Sequence, residues 1–459
     1  MKYILHSLVA LSLAGCATAP KQSDAPDLNL PSAWAAAAVG SDAPQAWLSD
    51  FKQPALERLV AEAISNNADL QRITAVLGQR IAEARISGAD ILPSAGLGLK
   101  GARQQISTFG PSPTGGVIFE NYDLALNLSW ELDLWGRMRN LTSAALAQVG
   151  ASQAERQAAR LSLAAQVTKS WFNLSEAQQQ VTEAARTAGA YRKNLNALES
   201  RFKRGLTGGL ELRRIRTQAA ASEADLASRQ RALDAAKRSL EVLLGRYPDA
   251  ALIAESSLPP LPEAIPAGLP AELIGRRPDL IAAERRLAAA DKDLLARKKD
   301  LLPKISLTAS GGSSSQDFDN LLKGDFSVWS LAGNLTQPIF QGGRILANID
   351  RAASLRDQAL AQYRNTALRA YLEVETTLAA EAYLKREYSK FALAAEEASA
   401  AETLAWSKYR SGTTDFLNVL DAQRSAAAYR GRVIAARNRL LQNRVDLYLA
   451  LGGPFQPES

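Results

Sequence analysis

RMRNLTSAALAQVGASQAERQAARLSLAAQVTKSWFNLSEAQQQVTEAARTAGAYRKNLNALESRFKR, residues 137–204, is the stretch that decides the fold. It has no proline and only two glycines, Gly150 and Gly189. As a single helix it is about 100 Å long at about 1.5 Å per residue. From Val167 the core-type positions step by threes and fours through Trp171, Leu174, Gln178, Val181, Ala185, Ala188, Tyr191, Leu195, Leu198 and Phe202. That period, close to 3.5, calls for a left-handed coiled-coil seam. Residues 344–410 repeat the pattern without proline or glycine. Globular domains rarely hold one helix of this length, and two imply an elongated object that reaches across a distance.

The totals agree. A chain of 459 residues suits about three ordinary domains, but not with two such helices. The hydrophobic share of 47% is inflated by alanine, which favours helix and close helix approach. The net charge is +7, yet Lys and Arg are spread among Glu, Asp and Gln along the helices. That is a solvated face, not the clustered patch with aromatics of a nucleic-acid binder.

Residues 1–15 read as a secretory signal: basic Met1-Lys2, an apolar run, then Leu13-Ala14-Gly15-Cys16, which resembles the bacterial lipobox. In proteins bearing that box the Cys is acylated and becomes the first mature residue, and Ala17 at the next position favours the outer membrane. Cys16 is the only cysteine and has no disulfide partner. The only histidine, His6, leaves with the signal. The mature chain then lacks the usual general base, nucleophile pairs and transition-metal ligands. No catalytic residue, metal site or cofactor is expected beyond the lipid on Cys16.

Residues 16–53, rich in Pro, Ala, Ser and Asp, read as a tether. Residues 54–91 read as one helix stopped at Leu92-Pro93. The period then falls to two. Strands are expected over about 95–106 and 122–132, joined by a Gly/Pro loop at 107–121. About ten residues also matches a membrane-spanning strand, and one hairpin alone does not choose between lipid and a half-buried soluble sheet. The long helix ends at Lys203-Arg204-Gly205, and 210–244 returns as a helix. Residues 256–271, with five prolines, form a linker.

The plan then restarts over 272–452, before a tail at 453–459. Arg277-Pro278-Asp279-Leu280 answers Asn67-Ala68-Asp69-Leu70, and Leu302-Pro303 answers Leu92-Pro93. Strands are expected over about 304–315 and 325–340, and a long helix over 344–411. Gly343-Arg344 answers Gly136-Arg137, and Gly412 answers Gly205. Landmarks at a steady offset of about 207–210 residues mean a duplication of helix, strand, strand, long helix and helix. No apolar run after the signal is long enough to cross a bilayer as a helix. Four strands cannot close a barrel, and open edges in lipid are prohibitive, so copies must pool their strands. Spacing alone does not choose how many.

Several stretches resemble one family, the TolC-like outer-membrane efflux channels, in their NodT-like lipoprotein branch. They are Trp130 to Arg137 (WELDLWGR), Arg277 to Leu280 with Ala283-Glu284, Leu302 to Leu307 (LPKISL), Gln337 to Phe340 with Gly342 to Arg344, and Val419 to Ser425 (VLDAQRS). The likeness covers essentially the whole mature chain in order. It implies a mainly helical homotrimer with a 12-strand outer-membrane β-barrel and a periplasmic α-helical tunnel. It also implies a periplasmic adaptor and an inner-membrane pump of the RND type as partners. The resemblance places a gate at Leu417, Asp421 and Arg424, with Tyr409 as a weaker latch. Adaptor contacts fall at the tip turns, Gly205, Leu206 and Thr207 in one half and Gly412, Thr413 and Thr414 in the other. One departure stands out: the first-half counterpart of Asp421 is Arg214.

Three other signals are set aside. Gly96 to Gly101 spells a dinucleotide fingerprint, but a helix precedes it and a strand carries it, the reverse of what the motif needs. Glu373/Glu375 and Glu396/Glu397 cannot share a helix face and read as solvated charges. Trp130, Trp135 and Trp329 near strand ends suit interface anchors, Trp135 equally a packing residue. The rival from another class is a periplasmic adaptor lipoprotein, which needs one helical hairpin and no duplicated strand pairs.

Overall fold

In a computed structural model of the protein, residues 34–35, 47–106, 116–253, 255, 257–262 and 273–453 are described. Cys16 and most of the tether, linker and tail fall outside them. The elements in chain order are α1 (Pro54–Asn66), α2 (Ala68–Ala89), β1 (Ser94–Ile106), β2 (Val117–Leu132), α3 (Arg137–Lys203), α4 (Gly209–Leu243), α5 (Pro278–Lys299), β3 (Lys304–Ser315), β4 (Ser327–Thr336), α6 (Arg344–Arg410) and α7 (Phe416–Ala450).

Glycines set the ends of both long helices, each of 67 residues. Gly136 and Gly343 stand just before them with φ of 72° and 80°, and Gly205 and Gly412 just after with 72° and 74°. A Cβ is strained in that left-handed region. At the far ends Leu206 N donates to Arg201 O and Gly205 N to Phe202 O. Thr413 N and Gly412 N repeat both bonds to Lys408 O and Tyr409 O. This paired closure satisfies last-turn carbonyls and turns the chain back on itself.

Four expectations need correction. The helix expected over 54–91 is two helices. Asn67 is extended (φ −65°, ψ 123°), and its side chain accepts from Leu70 N and so caps α2. The second strand starts at Val117, five residues before the apolar alternation becomes clear, because ladder pairing with β1 runs up to Ile106. The fourth strand spans Ser327–Thr336, shorter than 325–340, since Gly324–Phe326 makes a 3-10 turn and Pro338 lacks the N–H a ladder requires. Finally, the tether reading fails at its last residues. Trp47–Phe51 is a 3-10 helix whose Trp47, Leu48 and Phe51 are buried.

Those three side chains close the main core. Trp47 stacks on Tyr448 with centroids 5.4 Å apart, and Phe51 meets Phe172 edge-on at 5.0 Å. Around them lie Leu56 and Val60 of α1, Val167 and Leu174 of α3, Leu240 of α4, Val374 of α6 and Val445 of α7. Each such side chain stabilises by about 1.5–3 kcal/mol when buried. A second, smaller cluster sits at the far end, with Tyr191, Leu198, Leu212, Ile215, Phe416 and Val419. On α3 the buried line follows the expected seam through Val167, Trp171, Leu174, Tyr191 and Leu198, but passes through Ala184 where Ala185 was expected.

Candidate channel: stave, polar seam and helical tip

The sheet is antiparallel in the order β1-β2-β3-β4. Pairing aligns Leu97 with Leu126 and Leu99 with Leu124. It aligns Leu128 with Ala309 and Trp130 with Leu307, then Ala309 with Leu331 and Ile305 with Leu335. Because side chains alternate along a strand, these positions form one apolar face across all four strands. The other face carries Lys100, Asp123, Asn127, Thr308, Ser310, Ser330 and Asn334. There Ser310 and Ser330 share a hydrogen bond, and Ser314 donates to Asp123. The apolar face is uncovered, with Leu97 75%, Leu331 72% and Leu335 69% exposed. One free face of leucines and one polar face is the pattern of a membrane stave. Each of β1 and β4 keeps one unpaired edge.

Where strands hand over to helices, indole and amide groups tie the two together. Trp130 Nε1 donates to Ile91 O at 2.8 Å, and Trp135 Nε1 to Pro303 O at 2.7 Å. Trp135 is therefore packed at the junction, whereas Trp329 is 82% exposed. Arg137 binds Glu131 at 2.7 Å and lies 3.9 Å from Asp300.

Lower down, each return helix ends on a side-chain donor from the other end of its own half. Asn67 Nδ2 donates to Leu243 O at 3.1 Å, and Arg277 Nη1 to Ala450 O at 3.0 Å. Arg277 also binds Asp279 and Glu373, each at 2.7 Å. Burial works to lower its pKa, but those two carboxylates outweigh burial and hold it above the ordinary value. Glu373 is thus an ion-pair partner, not the purely solvated charge expected. Nor is Glu375 merely solvated, since it accepts from Ala35 N.

The halves meet where α3 packs on α5 and along α3 and α7, which run antiparallel. Their interface is a ladder of polar rungs: Lys169–Asp446 at 2.7 Å, Asn173–Asn438 at 2.8 Å, Gln180–Gly431 O at 2.9 Å, Glu183–Arg430 at 3.2 Å and Asn194–Gln423 at 3.2 Å. Sequence reasoning missed it. The signal was there in the polar positions 169, 173, 176, 180 and 183, whose steps of four and three mark a second stripe on α3. Between the last two rungs the ladder opens into a cleft of about 540 Å³ lined by Glu183, Thr187, Tyr191, Ser222, Asp225 and Arg424. The Tyr191 hydroxyl is buried without a hydrogen-bond partner among the described residues. Burial, helped by the Glu402 charge, pushes its pKa up to about 12.

At the tip, Leu417, Asp421 and Arg424 lie on one stripe of α7, spaced by four and three. Leu417 is 52% exposed. Asp421 and Arg424 form an ion pair at 2.6 Å with both side chains open to solvent. Tyr409 is elsewhere. It is half-buried against Phe416 at 5.2 Å, under the Arg201 guanidinium at 5.8 Å, and burial raises its pKa. The tip turns expose Gly205, Leu206, Gly412 and Thr413, while Thr207 and Thr414 are half-buried.

Three comparisons with known proteins converge. The sequence profile described as outer membrane efflux protein matches residues 59–246 and 269–453. Outer membrane protein OprJ of Pseudomonas aeruginosa is 33% identical over 457 residues, covering 97% of this chain and 94% of its own. Cation efflux system protein CusC of Escherichia coli O157:H7 is 30% identical over 464 residues, covering 99% of both chains. The crystal structure of a Pseudomonas aeruginosa membrane protein superposes with a TM-score of 0.89 at 32% identity, covering 97% of this chain and 99% of the other.

Proposed function

The chain belongs to the outer membrane efflux protein family, a channel component of the outer membrane and not an enzyme, and we propose that three copies pool their four-strand sheets into one 12-strand barrel. The observation that carries this is the stave: an exposed apolar face, a polar face behind it and two free edges. Lipid covers the first face, water fills the bore behind the second, and neighbouring copies cover the edges. The helices continue the bore as a periplasmic tunnel of about 100 Å. A lipid on Cys16 fastens the barrel end.

The tunnel works by conduction alone. The side chains that matter for traffic are those that narrow it. Leu417 and Asp421 form rings at the periplasmic pinch, and Arg424 holds Asp421 from one turn along the same helix. Tyr409 steadies the turn behind them by packing on Phe416. The Gly205-Leu206-Thr207 and Gly412-Thr413-Thr414 turns meet a periplasmic adaptor, which couples the channel to an RND-type inner-membrane pump. The periplasmic adaptor reading of this chain itself is set aside, because the duplicated hairpins form one continuous stave.

Electrophoresis and planar-bilayer recording test the proposal together. Purified in detergent, the protein is expected to migrate unboiled as an SDS-resistant oligomer and boiled as a monomer, and to insert as a conducting pore. A monodisperse monomer that stays in solution without detergent ends the conduit reading.

A further inference from the structure

The β2–β3 junction joins one half of the chain to the other, and it is a template for joining one copy to the next. The halves correspond closely enough to transpose it. Leu124-Ala125-Leu126-Asn127-Leu128-Ser129 in β2 matches Leu331-Ala332-Gly333-Asn334-Leu335-Thr336 in β4. The hairpins agree, for Ser94 pairs with Ser129 just as Lys304 pairs with Thr336. Hydrogen bonds keep the same correspondence. Trp130 donates to Ile91 O and its counterpart Gln337 to Leu301 O at 2.9 Å. The glycines that end α4 and α7 correspond as well: a Cβ on Gly245 would strike Asn66 O, and one on Gly452 would strike Arg276 O.

On the reading that copies share a barrel, we propose that β4 of one protomer pairs antiparallel with β1 of the next in the β2–β3 register carried over residue by residue. Leu128 faces Ala309 and Leu126 faces Gly311 within the chain. Between copies Leu335 then faces the partner's Leu99, and Gly333 the partner's Gly101. The transposed register keeps leucines on the lipid side all round. A one-residue slip would set Leu335 beside the partner's Lys100 or Gly98 and turn one strand inside out. It also supplies an ion pair. Arg137 lies 3.9 Å from Asp300 inside the chain. The matching pair is Arg344 with the partner's Asp90. Within the protomer the Arg344 side chain bonds only the Gln341 amide, and Asp90 has no ion pair among the described residues. One rung cannot be copied literally. Gly312 has no room for a Cβ, which would collide with Leu124 O, whereas its counterpart is Ala102. The seam between copies is wider there, three residues from the rung chosen for the test.

Cys16 is the only native cysteine, so engineered pairs report cleanly. Full-length L99C/L335C, L99C/G333C and L99C/L331C, with each single variant, are treated in outer membranes with a bis-methanethiosulfonate of about 5 Å span. Directly opposed Cβ atoms stand about 4.5–5.5 Å apart and diagonal ones about 7–8 Å. The L99C/L335C pair is expected to give covalent oligomers that survive boiling, at least tenfold above L99C/L331C. A stronger product with G333C or L331C, or none from L99C/L335C while unboiled samples still run as oligomers, overturns the register and leaves the shared barrel standing. Unboiled wild-type protein that runs as a monomer overturns the shared barrel itself. Should the cysteine pairs assemble poorly, R344D and D90R are each expected to lower the oligomer's melting temperature, and the double variant to restore it. No restoration counts against the register.

Discussion

The two halves of the chain solve the same problem with different side chains. A return helix comes back from the tip and ends in the main core, where its last-turn carbonyls need donors. In the first half Asn67 reaches Leu243 O and caps α2 with the same amide. In the second Arg277 reaches Ala450 O but also holds Glu373 on the long helix α6. The amide serves two helix ends and the guanidinium serves three helices. The backbone path is therefore set by the duplication, while the stiffness of each joint is set locally. At this core end, among the described residues, only the second half ties its return helix to its long helix through charge; towards the tip the first half does so too, through Arg192–Glu223 and Arg216–Glu199.

The largest contrast is expected in the sheet. A Cβ on Gly312 would collide with Leu124 O and lie 2.7 Å from Ala125 Cα, both backbone atoms that cannot swing away. Gly312→Val must separate β2 from β3, costing about 3 kcal/mol, the upper end of ordinary overpacking. Its counterpart Ala102 already carries a Cβ, so Ala102→Val is expected to cost less than about 1 kcal/mol. The yield of unboiled oligomer reads both. Equal losses would mean that the two halves of the barrel are not differently packed.

Next comes the tip cluster, where Tyr191 is 2% exposed and its counterpart is only Ala398. Tyr191→Ala is expected to cost about 3 kcal/mol, as for other large-to-small core changes. Trypsin should then cut after Lys203 or Arg204 faster than in the wild type. Tyr191→Phe keeps the ring and deletes a hydroxyl that has no partner among the described residues, so it should be neutral at pH 7. At high pH the two proteins should diverge. With its pKa pushed up to about 12, the folded state keeps the phenolic proton after the unfolded chain has lost its own. That contribution is complete below about pH 10 and disappears as pH rises from there towards 12. Alkaline melting of Tyr191→Phe should accordingly fall off less steeply. Parallel curves would mean that the hydroxyl is hydrated in the native state.

The joints at Asn67 and Arg277 differ by less. Arg277→Ala removes charge-assisted bonds to a buried carbonyl and two carboxylates and is expected to cost about 2 kcal/mol. Asn67→Ala removes one cap and one neutral bond, about 1 kcal/mol. Arg277→Asn, which gives the second half the first half's residue, should fall between the two in melting temperature. An Asn67 variant that loses more than the Arg277 variant would reverse the ranking of the joints.

How much of this could be read in advance depended on range along the chain. The long helices were legible because glycine marks every end and proline is absent between. The stave was legible because alternation is local, although Val117 to Asn121 mix apolar and polar residues and were read as loop. The break at Asn67 was hidden because no proline marks it, as Pro278 does in the second half. Trp47 to Phe51 looked like tether because Pro, Ala, Ser and Asp surround it, and its partners Phe172 and Tyr448 lie over a hundred residues away. The ladder between α3 and α7 was half legible: the polar stripe on α3 is local, but its partners, such as Asp446 for Lys169, lie far along the chain.

The smallest effect belongs to the gate, and it is the sharpest comparison of the halves. Residues 198–216 hold six basic and two acidic side chains, whereas the matching 405–423 hold two of each. Where the second half offers Asp421, the first offers Arg214. If Asp421 lines the pinch, its carboxylates come from alternate hairpins only, each half-neutralised by its own Arg424 at 2.6 Å. An exposed pair of this kind is worth less than about 1 kcal/mol, so a large change in opening is not expected. Ion selectivity is the finer probe, because a ring of charge acts on every ion that passes. Asp421→Ala is expected to lower the cation-to-anion permeability ratio by about twofold, the scale for losing one partly neutralised ring. Arg424→Ala, which frees the carboxylate, should raise it, and Arg214→Ala should leave it unchanged. A ratio that follows Arg214 and ignores Asp421 would put the first half's helices, not the second's, at the narrowest point.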